Sequence, residues 1–424
     1  MGFFVYKCSV IFYNLPKELE GILLRLWGKI CLTVTVALGS VALGLTGFPG
    51  TANTVVARAA TTINAKSQGM IGNSETANNT ALQNILNKWN NDALTIRVPK
   101  GTYMFNTGVI KLHSNIKFKF DKGAVFQTTS GNQVIFVYPS PKTGYNGGIR
   151  NVTWEGASFK GDNTQAGQSF FTQSVHHASN VSFDNCLFYN AEAPTGHYID
   201  LDGSRKISIT NSTFTGFNGT QNQDFKEAIQ IDYSNANAMS FHNPGDHYDN
   251  LPTYDVNVNN NKFLPIYNNS GKIISYAPNP IGEHAIFNNG KAGVIHNIYF
   301  TNNTVTDSKP MMKKYDATIR FIDVNKLWIE NNKFINHQVS SSGNYICLNN
   351  LIANYKMSNL NIKNNTFTNI NPNKQYILLN SVSPKKAMTR INITRNKVTN
   401  RKPSIKFVRG NFNLTTNTIN ISNN

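Results

Sequence analysis

Short apolar strands that alternate with polar positions recur along the chain from residue 94 to the C-terminus. Each repeat ends in the same eight-residue tail. An apolar, a variable, a second apolar and a second variable residue come first. Two polar residues, mostly asparagines, a variable residue and a last apolar residue follow. The tails lie at 181–188, 207–214, 256–263, 298–305, 327–334, 360–367, 391–398 and 412–419. Alternation with a period of two predicts β-strands, and the recurrence of one unit predicts a solenoid.

The repeats predict one all-β domain at residues 60–424, a right-handed parallel β-helix of about ten coils. Most tails follow one another at a spacing that suits one coil of three strands and three turns. Two longer spacings, of 49 and 42 residues, predict loop insertions at about 233–255 and 264–283. An amphipathic segment at about 78–90 predicts a helix, which we expect to cap the open end of the coil stack.

One position of the tail carries a side-chain amide in each of the last six repeats. These amides are Asn261, Asn303, Asn332, Asn365, Asn396 and Asn417. Neighbouring strands lie about 4.8 Å apart, so we expect the amides to hydrogen-bond to one another in a structural ladder. Phenylalanines at the end of the tail, such as Phe214 and Phe263, are expected to stack inside the coil.

The first 59 residues have a different pattern. A mildly basic stretch precedes an uncharged apolar run at 30–48, and A-R-A at 57–59 follows as a cleavage site. This order predicts a secretory signal peptide, with an uncleaved N-terminal anchor as the alternative. In both cases we expect the domain to be secreted or at the cell surface, without stable membrane association once the leader is cleaved.

Net charge narrows the class of partner. The chain carries a formal charge of +18, and residues 1–59 contribute five basic and two acidic side chains, which leaves +15 for the domain. Such a field favours a polyanion, so we expect an acidic or cell-wall polysaccharide as substrate or ligand. No RNP, helix-turn-helix or zinc-finger pattern occurs, and a nucleic-acid partner is not expected.

Four cysteines predict no disulfide framework and no metal site, and no cofactor is expected. They are Cys8, Cys31, Cys186 and Cys347.

Ionisable residues stand at matching positions of four short strands. These strands begin at His197, Glu227, His284 and Ala317, and their shared isoleucine predicts that the first three side chains lie one above another. Because the two insertions flank the strand of Glu227, we expect this face to open to solvent between them. Glu227 is the expected general acid or base, with the two histidines holding or relaying its proton. The second carboxylate of a glycosidase pair is expected from Asp200, Asp202 or Asp232.

Other side chains are expected to bind the substrate. An arginine beside the acids can clamp a carboxylate or phosphate group, and aromatic side chains of the first insertion can stack on sugar rings. The expected substrate-binding residues are Arg320, Gln230, Lys226, Tyr233, His247 and Tyr248. The expected site contains no metal ion.

These motifs resemble those of polygalacturonase-type (family 28) glycoside hydrolases, within the pectin-lyase-like right-handed β-helix superfamily. G-E-H-A-I at 282–286 is similar to the family's G-H-G-I, which gives His284 the histidine position, and Arg320 in T-I-R matches the lysine of R-I-K. Asp200 and Glu227 take the places of two of the family's acids. Two other positions depart from the family pattern, at His197 and Lys226. The resemblance implies a β-helix that cleaves an acidic polysaccharide.

Three functions stay open on these residues. The favoured one is a secreted glycoside hydrolase that acts through a Glu/Asp pair. A polysaccharide lyase or epimerase would instead use His197 or His284 as the base, with Arg320 neutralising a uronate carboxylate. The third is a non-catalytic surface adhesin or carbohydrate-binding β-helix, which fits the basic, asparagine-rich C-terminal coils.

Overall fold

The computed structural model describes residues 60–424 except 91–92, 163–168, 191–196, 217–226, 284, 309–316, 338–342, 373 and 384–387. The leader at 1–59 therefore lies outside the described residues, as do Lys226 and His284. Within the described part of the chain, no helix is both long and apolar enough to cross a membrane.

Three long parallel sheets form the predicted right-handed parallel β-helix. Each strand pairs with the strand one coil before it and the strand one coil after it, so every coil buries its inward side chains against the next. The sheets hold twelve, eleven and ten strands, in agreement with the prediction of about ten coils. One additional coil precedes the helix, where the strand Asn73–Ala77 is exposed along its whole length and shows no alternation.

The sheets are named A, B and C here. Sheet A contains Thr61–Asn64, Leu94–Val98, Ile116–Phe120, Arg150–Glu155, Ser179–Asp184, Arg205–Thr210, Tyr254–Asn259, His296–Thr301, Asn325–Glu330, Ser358–Lys363, Thr389–Thr394 and Ile419–Ser422. Sheet B contains Asn73–Ala77, Gly101–Met104, Ala124–Gln127, Ser158–Lys160, Leu187–Tyr189, Thr213–Thr215, Lys262–Leu264, Thr304–Thr306, Lys333–Ile335, Thr366–Thr368 and Lys397–Thr399. Sheet C contains Gly108–Lys111, Gln133–Tyr138, Phe170–His176, Ile199–Asp202, Glu227–Asp232, Asn279–Gly282, Ala317–Ile322, Asn344–Asn350, Gln375–Ser381 and Lys406–Gly410. A small hairpin and a 3₁₀ helix complete the described elements: Ile266–Tyr267, Ile273–Ser275 and Lys66–Gln68.

The helix Asn79–Lys88 takes the predicted capping position. It buries its apolar face and lies against Gly108–Lys111, the end strand of sheet C. The Gln83 side chain accepts a hydrogen bond from the backbone N–H of Lys111 at 2.8 Å and donates to its carbonyl oxygen at 3.2 Å. The helix thus satisfies backbone groups that an uncovered edge strand would leave open.

The asparagine ladder is present along the tail positions. From Asn261 to Asn365, each amide donates to the amide oxygen of the next at 2.9–3.2 Å. The residue before each rung has a left-handed backbone, as at Asn260 with a φ of +57°. Asparagine tolerates this conformation, which explains why the repeat carries two asparagines in succession. The last rung is Asn424 rather than the predicted Asn417, because the last strand of sheet A is Ile419–Ser422.

Aromatic stacking fills the interior, as the sequence predicts. Phe214 lies between Phe188 and Phe263, with ring centroids 4.8 and 5.0 Å apart and nearly parallel planes. The two cysteines that the structure describes, Cys186 and Cys347, are buried and form no disulfide.

Candidate functional site

The register of sheet C corrects one of the four predicted strands. The strand that follows Glu227 on the next coil is Asn279–Gly282, and Asn279 stands opposite Glu227, in the place predicted for His284. Pro280 conceals this strand in the sequence, because proline lacks the N–H of a ladder bond and is rare in central strands. The predicted column of His197, Glu227 and His284 is therefore wrong at its third member.

Glu227 and His197 lie side by side and are sealed from solvent. Each is only 2% exposed, and His197 Nδ1 lies 2.6 Å from the backbone carbonyl oxygen of Glu227. The Glu227 side chain packs over Gly282, where an added Cβ would lie 2.8 Å from its Cγ and Oε1 atoms. The glycine leaves room for this side chain, and Arg320 occupies the next position of the same row.

The three predicted aspartates share the outward face of sheet C, as expected. Asp200 pairs with Gln230, and Asp202 pairs with Asp232 on the neighbouring strand. All three aspartates are fully buried, contrary to the expectation of an open face. Among the described residues, no group of three or more histidines, cysteines and acids is arranged to hold a metal ion.

The first insertion covers these acids. Residues 233–253, called the covering segment here, follow the strand Glu227–Asp232 and fold back over it. The backbone N–H of Ser240 donates to Asp200 Oδ2 at 2.6 Å. Gln230 donates to the carbonyl oxygen of Ala238 at 3.2 Å and to Asp232 Oδ2 at 2.9 Å. The insertion therefore seals the acids instead of forming one wall of an open groove.

Burial changes the protonation of these acids. Burial, together with the neighbouring Asp200 and Asp232, raises the pKa of Asp202 well above its usual 3.8. Burial also raises the pKa of Asp200 and, well above the usual value, that of Asp232. Neither carboxyl oxygen of Asp202 receives a hydrogen bond from a described residue. Burial and mutual repulsion therefore favour the protonated form, most clearly for Asp202, because a second charge beside Asp200 and Asp232 would not be solvated.

Glu283 was not among the predicted residues, although it lies near enough to Asp232 to interact with it electrostatically. Its backbone N–H donates to the carbonyl oxygen of Arg320 at 3.0 Å, and its Oε2 accepts from the N–H of Ile322 at 2.9 Å. Burial, and then the nearby Asp232, raises the pKa of the fully buried Glu283 well above its usual value. The corrected strand Asn279–Gly282 ends directly before it, which is the signal that would have indicated it.

Solvent reaches only part of the predicted substrate-binding set. Three of its members are exposed or half-buried: Arg320, His247 and Tyr248. Gln230 is 3% exposed and Tyr233 is completely buried, contrary to the expectation that both face a substrate. The ring of Tyr233 instead packs edge-on against Phe287, with centroids 6.1 Å apart.

A Ser–His–Asp chain holds the covering segment to sheet C. His176 Nε2 lies 2.8 Å from Ser234 Oγ, and His176 Nδ1 lies 3.0 Å from Asp246 Oδ2. This is the connectivity of a nucleophilic serine triad. Because Ser234 and His176 are completely buried, no substrate can reach the Ser234 hydroxyl, and this series of hydrogen bonds has a structural role.

A second such chain lies beside the first. His177 Nδ1 lies 2.7 Å from Ser140 Oγ, and its Nε2 lies 2.9 Å from Asp249 Oδ1. The rings of His176 and His177 stack with centroids 4.4 Å apart. Burial, and then the adjacent His176, lowers the pKa of His177, which favours its neutral form.

Aromatic side chains line the outer face of sheet A, away from the acids. Tyr299 and Trp328 occupy one row on neighbouring coils and stack at 4.4 Å with planes 10° apart. Tyr254 and His296 stack in a second row at 4.8 Å and 5°. Tyr145 packs edge-on against Tyr254 at 4.8 Å. These five half-buried residues are called the aromatic strip here.

The aromatic strip was not predicted, although the repeat contained its signal. Tyr299 and Trp328 occupy a variable position of the tail, in I-Y-F and L-W-I. The flanking repeats carry Asn257 and Asn361 at the same position. Outward positions of a solenoid do not contribute to its core, so large aromatic residues there need another explanation.

A cavity of about 410 Å³ lies beside the loop that carries Tyr145. Its lining includes Leu112, His113, Pro139 and Gly148. None of the predicted site residues contributes to it, so the acids of sheet C are not at the base of this cavity.

No protein-family model matches the sequence, and no curated protein matches it. Solved structures are similar to it in fold. The surface protein and adhesin PfbA of Streptococcus pneumoniae is 16% identical, with a TM-score of 0.50 over 82% of this chain and 100% of that chain. The family 28 exopolygalacturonase of Yersinia enterocolitica is 12% identical, with a TM-score of 0.38 over 82% and 78% of the two chains. The tailspike gp61 of Pseudomonas phage phi297 is 12% identical, with a TM-score of 0.40 over 85% and 79%.

At these identities the similarity concerns the fold and not the site. The three parallel sheets of this chain form the architecture that it has in common with the adhesin PfbA. The chain therefore has the right-handed parallel β-helix fold.

Proposed function

We propose that the protein is an extracellular polysaccharide-binding β-helix that holds a glycan on the outer face of sheet A. The aromatic strip is the observation that carries this proposal. Aromatic rings offer a large apolar contact area, and tyrosine and tryptophan add a polar group, which suits ligands that combine apolar ring faces with hydroxyl groups. The rings form two stacked pairs, with Tyr145 edge-on against one of them, so binding costs little additional side-chain entropy.

Polar residues extend the strip in both directions. Asn257 is exposed one coil before Tyr299, whereas Asn361, one coil after Trp328, is buried and already hydrogen-bonded to Asn359 and Asn392. Lys326 is exposed on the same strand as Trp328. An exposed amide and a cation beside aromatic rings can form hydrogen bonds to sugar hydroxyls, and the charge of +15 on residues 60–424 favours an acidic chain.

Hydrolysis is a second candidate, favoured by the raised pKa values of Asp200 and Asp202. Strongly perturbed carboxyls are concentrated at catalytic sites, where one member supplies a proton and another accepts it. Positions two apart on one strand are about 7 Å apart, and neighbouring strands about 4.8 Å, so both glycosidase geometries are within reach. This function requires the covering segment to leave the sheet, because the segment seals the acids. A lyase or epimerase reaction through His197 or His284 stays a prediction.

Glycan binding is tested with the full chain and a panel of acidic and neutral polysaccharides, by affinity electrophoresis and tryptophan fluorescence. We expect Trp328→Ala to weaken binding about tenfold, which corresponds to about 1.4 kcal/mol. Tyr189→Ala is the matched control, because Tyr189 is a half-buried aromatic residue on sheet B. Failure of the wild type to bind any glycan, or an equal loss in the control, would contradict the proposal.

The hydrolase candidate is tested by following reducing ends and ultraviolet absorbance together on the same panel. Release of reducing ends by the wild type, abolished in Glu227→Gln and Asp202→Asn, would assign hydrolysis to the acids of sheet C. Growth of the unsaturated-uronate absorbance would assign elimination instead. Binding without either product supports the non-catalytic function.

A further inference from the structure

We infer that Arg205 forms an anion subsite beside the aromatic strip, so that the preferred ligand is a glycan carrying oxyanion groups, foremost uronate carboxylates. This inference rests on the proposed function and specifies its ligand. Arg205 begins the strand Arg205–Thr210 of sheet A and pairs with Tyr254 on the next coil. The guanidinium therefore lies at the end of the strip that is nearest to Tyr145.

Neutral groups fix the position of this guanidinium. Its Nη2 donates to Asn146 Oδ1 at 2.7 Å, and its Nη1 donates to Tyr254 Oη at 3.4 Å. The guanidinium carbon lies 5.9 Å from the centroid of the Tyr145 ring, in cation–π contact. Contacts on three sides orient the planar group in advance, so that few rotamers are lost when a ligand binds.

No described carboxylate forms a salt bridge with Arg205, and its buried Nε atom has no hydrogen-bond partner among the described residues. Two acids of neighbouring segments are held by other groups. Asp249 contacts His177 at 2.9 Å, and Asp255 accepts from the side chain of Asn297 at 2.7 Å. The charge of Arg205 is therefore not neutralised by either of these acids and stays available to an anion.

An oxyanion ligand would bind the remaining N–H groups of Nη1 and Nη2, because the Nε atom is buried. Guanidinium groups bind carboxylate and phosphate through two parallel charge-assisted hydrogen bonds, which are stronger than neutral ones. The adjacent rings of Tyr145 and Tyr254 would contact the sugar that carries the anion. An acidic glycan can thus place its sugar on the strip and its charged group on Arg205 in one orientation.

Arg150 provides a matched control for this subsite. It occupies the same row of sheet A two coils earlier, in register through Ser179, and its side chain is exposed. Replacing either arginine removes one positive charge from the same face of the solenoid. Of the two, Arg205 alone has the hydrogen bonds to neutral groups and the aromatic neighbours described above. An effect specific to this site must therefore change the affinity of the Arg205 variant more than that of the Arg150 variant.

The experiment compares the wild type with Arg205→Gln, Arg205→Lys and Arg150→Gln, each as the full chain. The ligands are polygalacturonate, its fully methyl-esterified neutral form, and a phosphate-bearing polymer, at two salt concentrations. We expect Arg205→Gln to weaken polygalacturonate binding on the order of tenfold and to leave the neutral form within about twofold. Arg205→Lys should restore part of the affinity, and Arg150→Gln should have less than about a twofold effect.

Several outcomes would overturn the subsite. Equal losses in Arg205→Gln and Arg150→Gln would show a general electrostatic field, and an equal loss for the neutral polymer would show that the strip itself had collapsed. Equal wild-type affinity for the acidic and neutral polymers refutes the subsite while leaving glycan binding intact. No binding to any polymer refutes the proposed function. A preference for the phosphate polymer that Arg205→Gln abolishes supports the subsite and identifies phosphate as its anion.

Discussion

Replacing Asp202 with asparagine tests the assignment of buried, protonated acids under the covering segment. Asparagine is nearly the same size and shape as a protonated aspartate, but it cannot ionise. Asp202 is completely buried, and neither of its carboxyl oxygens receives a hydrogen bond from a described residue. We therefore expect Asp202→Asn to stabilise the protein at neutral pH, unlike most substitutions of a fully buried polar residue.

The size of the effect follows from proton linkage. Burial and the neighbouring Asp200 and Asp232 raise the folded-state pKa of Asp202, while the unfolded chain titrates near 3.8. The stability that this protonated group contributes is fully present below pH 3.8 and is lost as the pH rises through the folded pKa. Over that window, each pH unit lowers the free energy of unfolding of the wild type by about 1.4 kcal/mol. Asp202→Asn does not lose this stability, because asparagine cannot ionise.

Urea unfolding at several values between pH 3.5 and pH 8, followed by tryptophan fluorescence, measures the difference. We expect the variant and the wild type to be equally stable near pH 3.5 and to diverge as the pH rises. The exposed Glu75→Gln is the control and should show no such divergence. A variant that loses stability most strongly at neutral pH would refute the reasoning, because it would mean that Asp202 is ionised and bound to a cation or donor.

Three further changes test other parts of the structure. Asn332→Ala should lower the free energy of unfolding by about 2–4 kcal/mol, because it leaves buried backbone groups of the ladder unpaired. The control Asn257→Ala, at an exposed position, should lower it by less than about 0.5 kcal/mol. The midpoints of urea unfolding measure both changes. Asp246→Asn should speed amide hydrogen exchange in the covering segment alone, by mass spectrometry, and a uniform change along the solenoid would contradict its holding role. Gly282→Ala should lower the free energy of unfolding by about 1–3 kcal/mol, because the new methyl group would contact Glu227. In the double variant, Glu227→Ala should remove part of this loss. If the losses of the two single variants simply add in the double variant, the contact is excluded.

The fold could be predicted because its determinants are local. Alternation with a period of two selects the inward residues of each strand, and paired asparagines supply both a left-handed turn and a buried amide. Where the local signal is missing, the prediction fails. The first coil is not recognisable in the sequence, because its strand Asn73–Ala77 is exposed throughout and shows no alternation. The strand Asn279–Gly282 of sheet C is not recognisable either, because it contains Pro280.

The candidate site could be predicted only in part. The pairing of Asp202 with Asp232 follows from strand parity and was expected. The pairing of Asn279 with Glu227 was not expected, because Ile281 and Ile286 both offer a register for this coil and Pro280 disfavours the correct one. The aromatic strip was visible as Tyr299 and Trp328 in one variable column, yet their stacking required the register of neighbouring coils.

The sequence by itself determined a solenoid, its ladder and the set of acids on one outward face, since each depends on spacing along one strand or one turn. Only the tertiary structure decided that these acids are covered. Ser140 and Gly144 donate backbone hydrogen bonds to Asp246 and Asp249 of the covering segment, more than a hundred residues further along the chain. Contacts between such distant segments depend on the stacking of the intervening coils, and no local pattern of hydrophobic and polar residues encodes them.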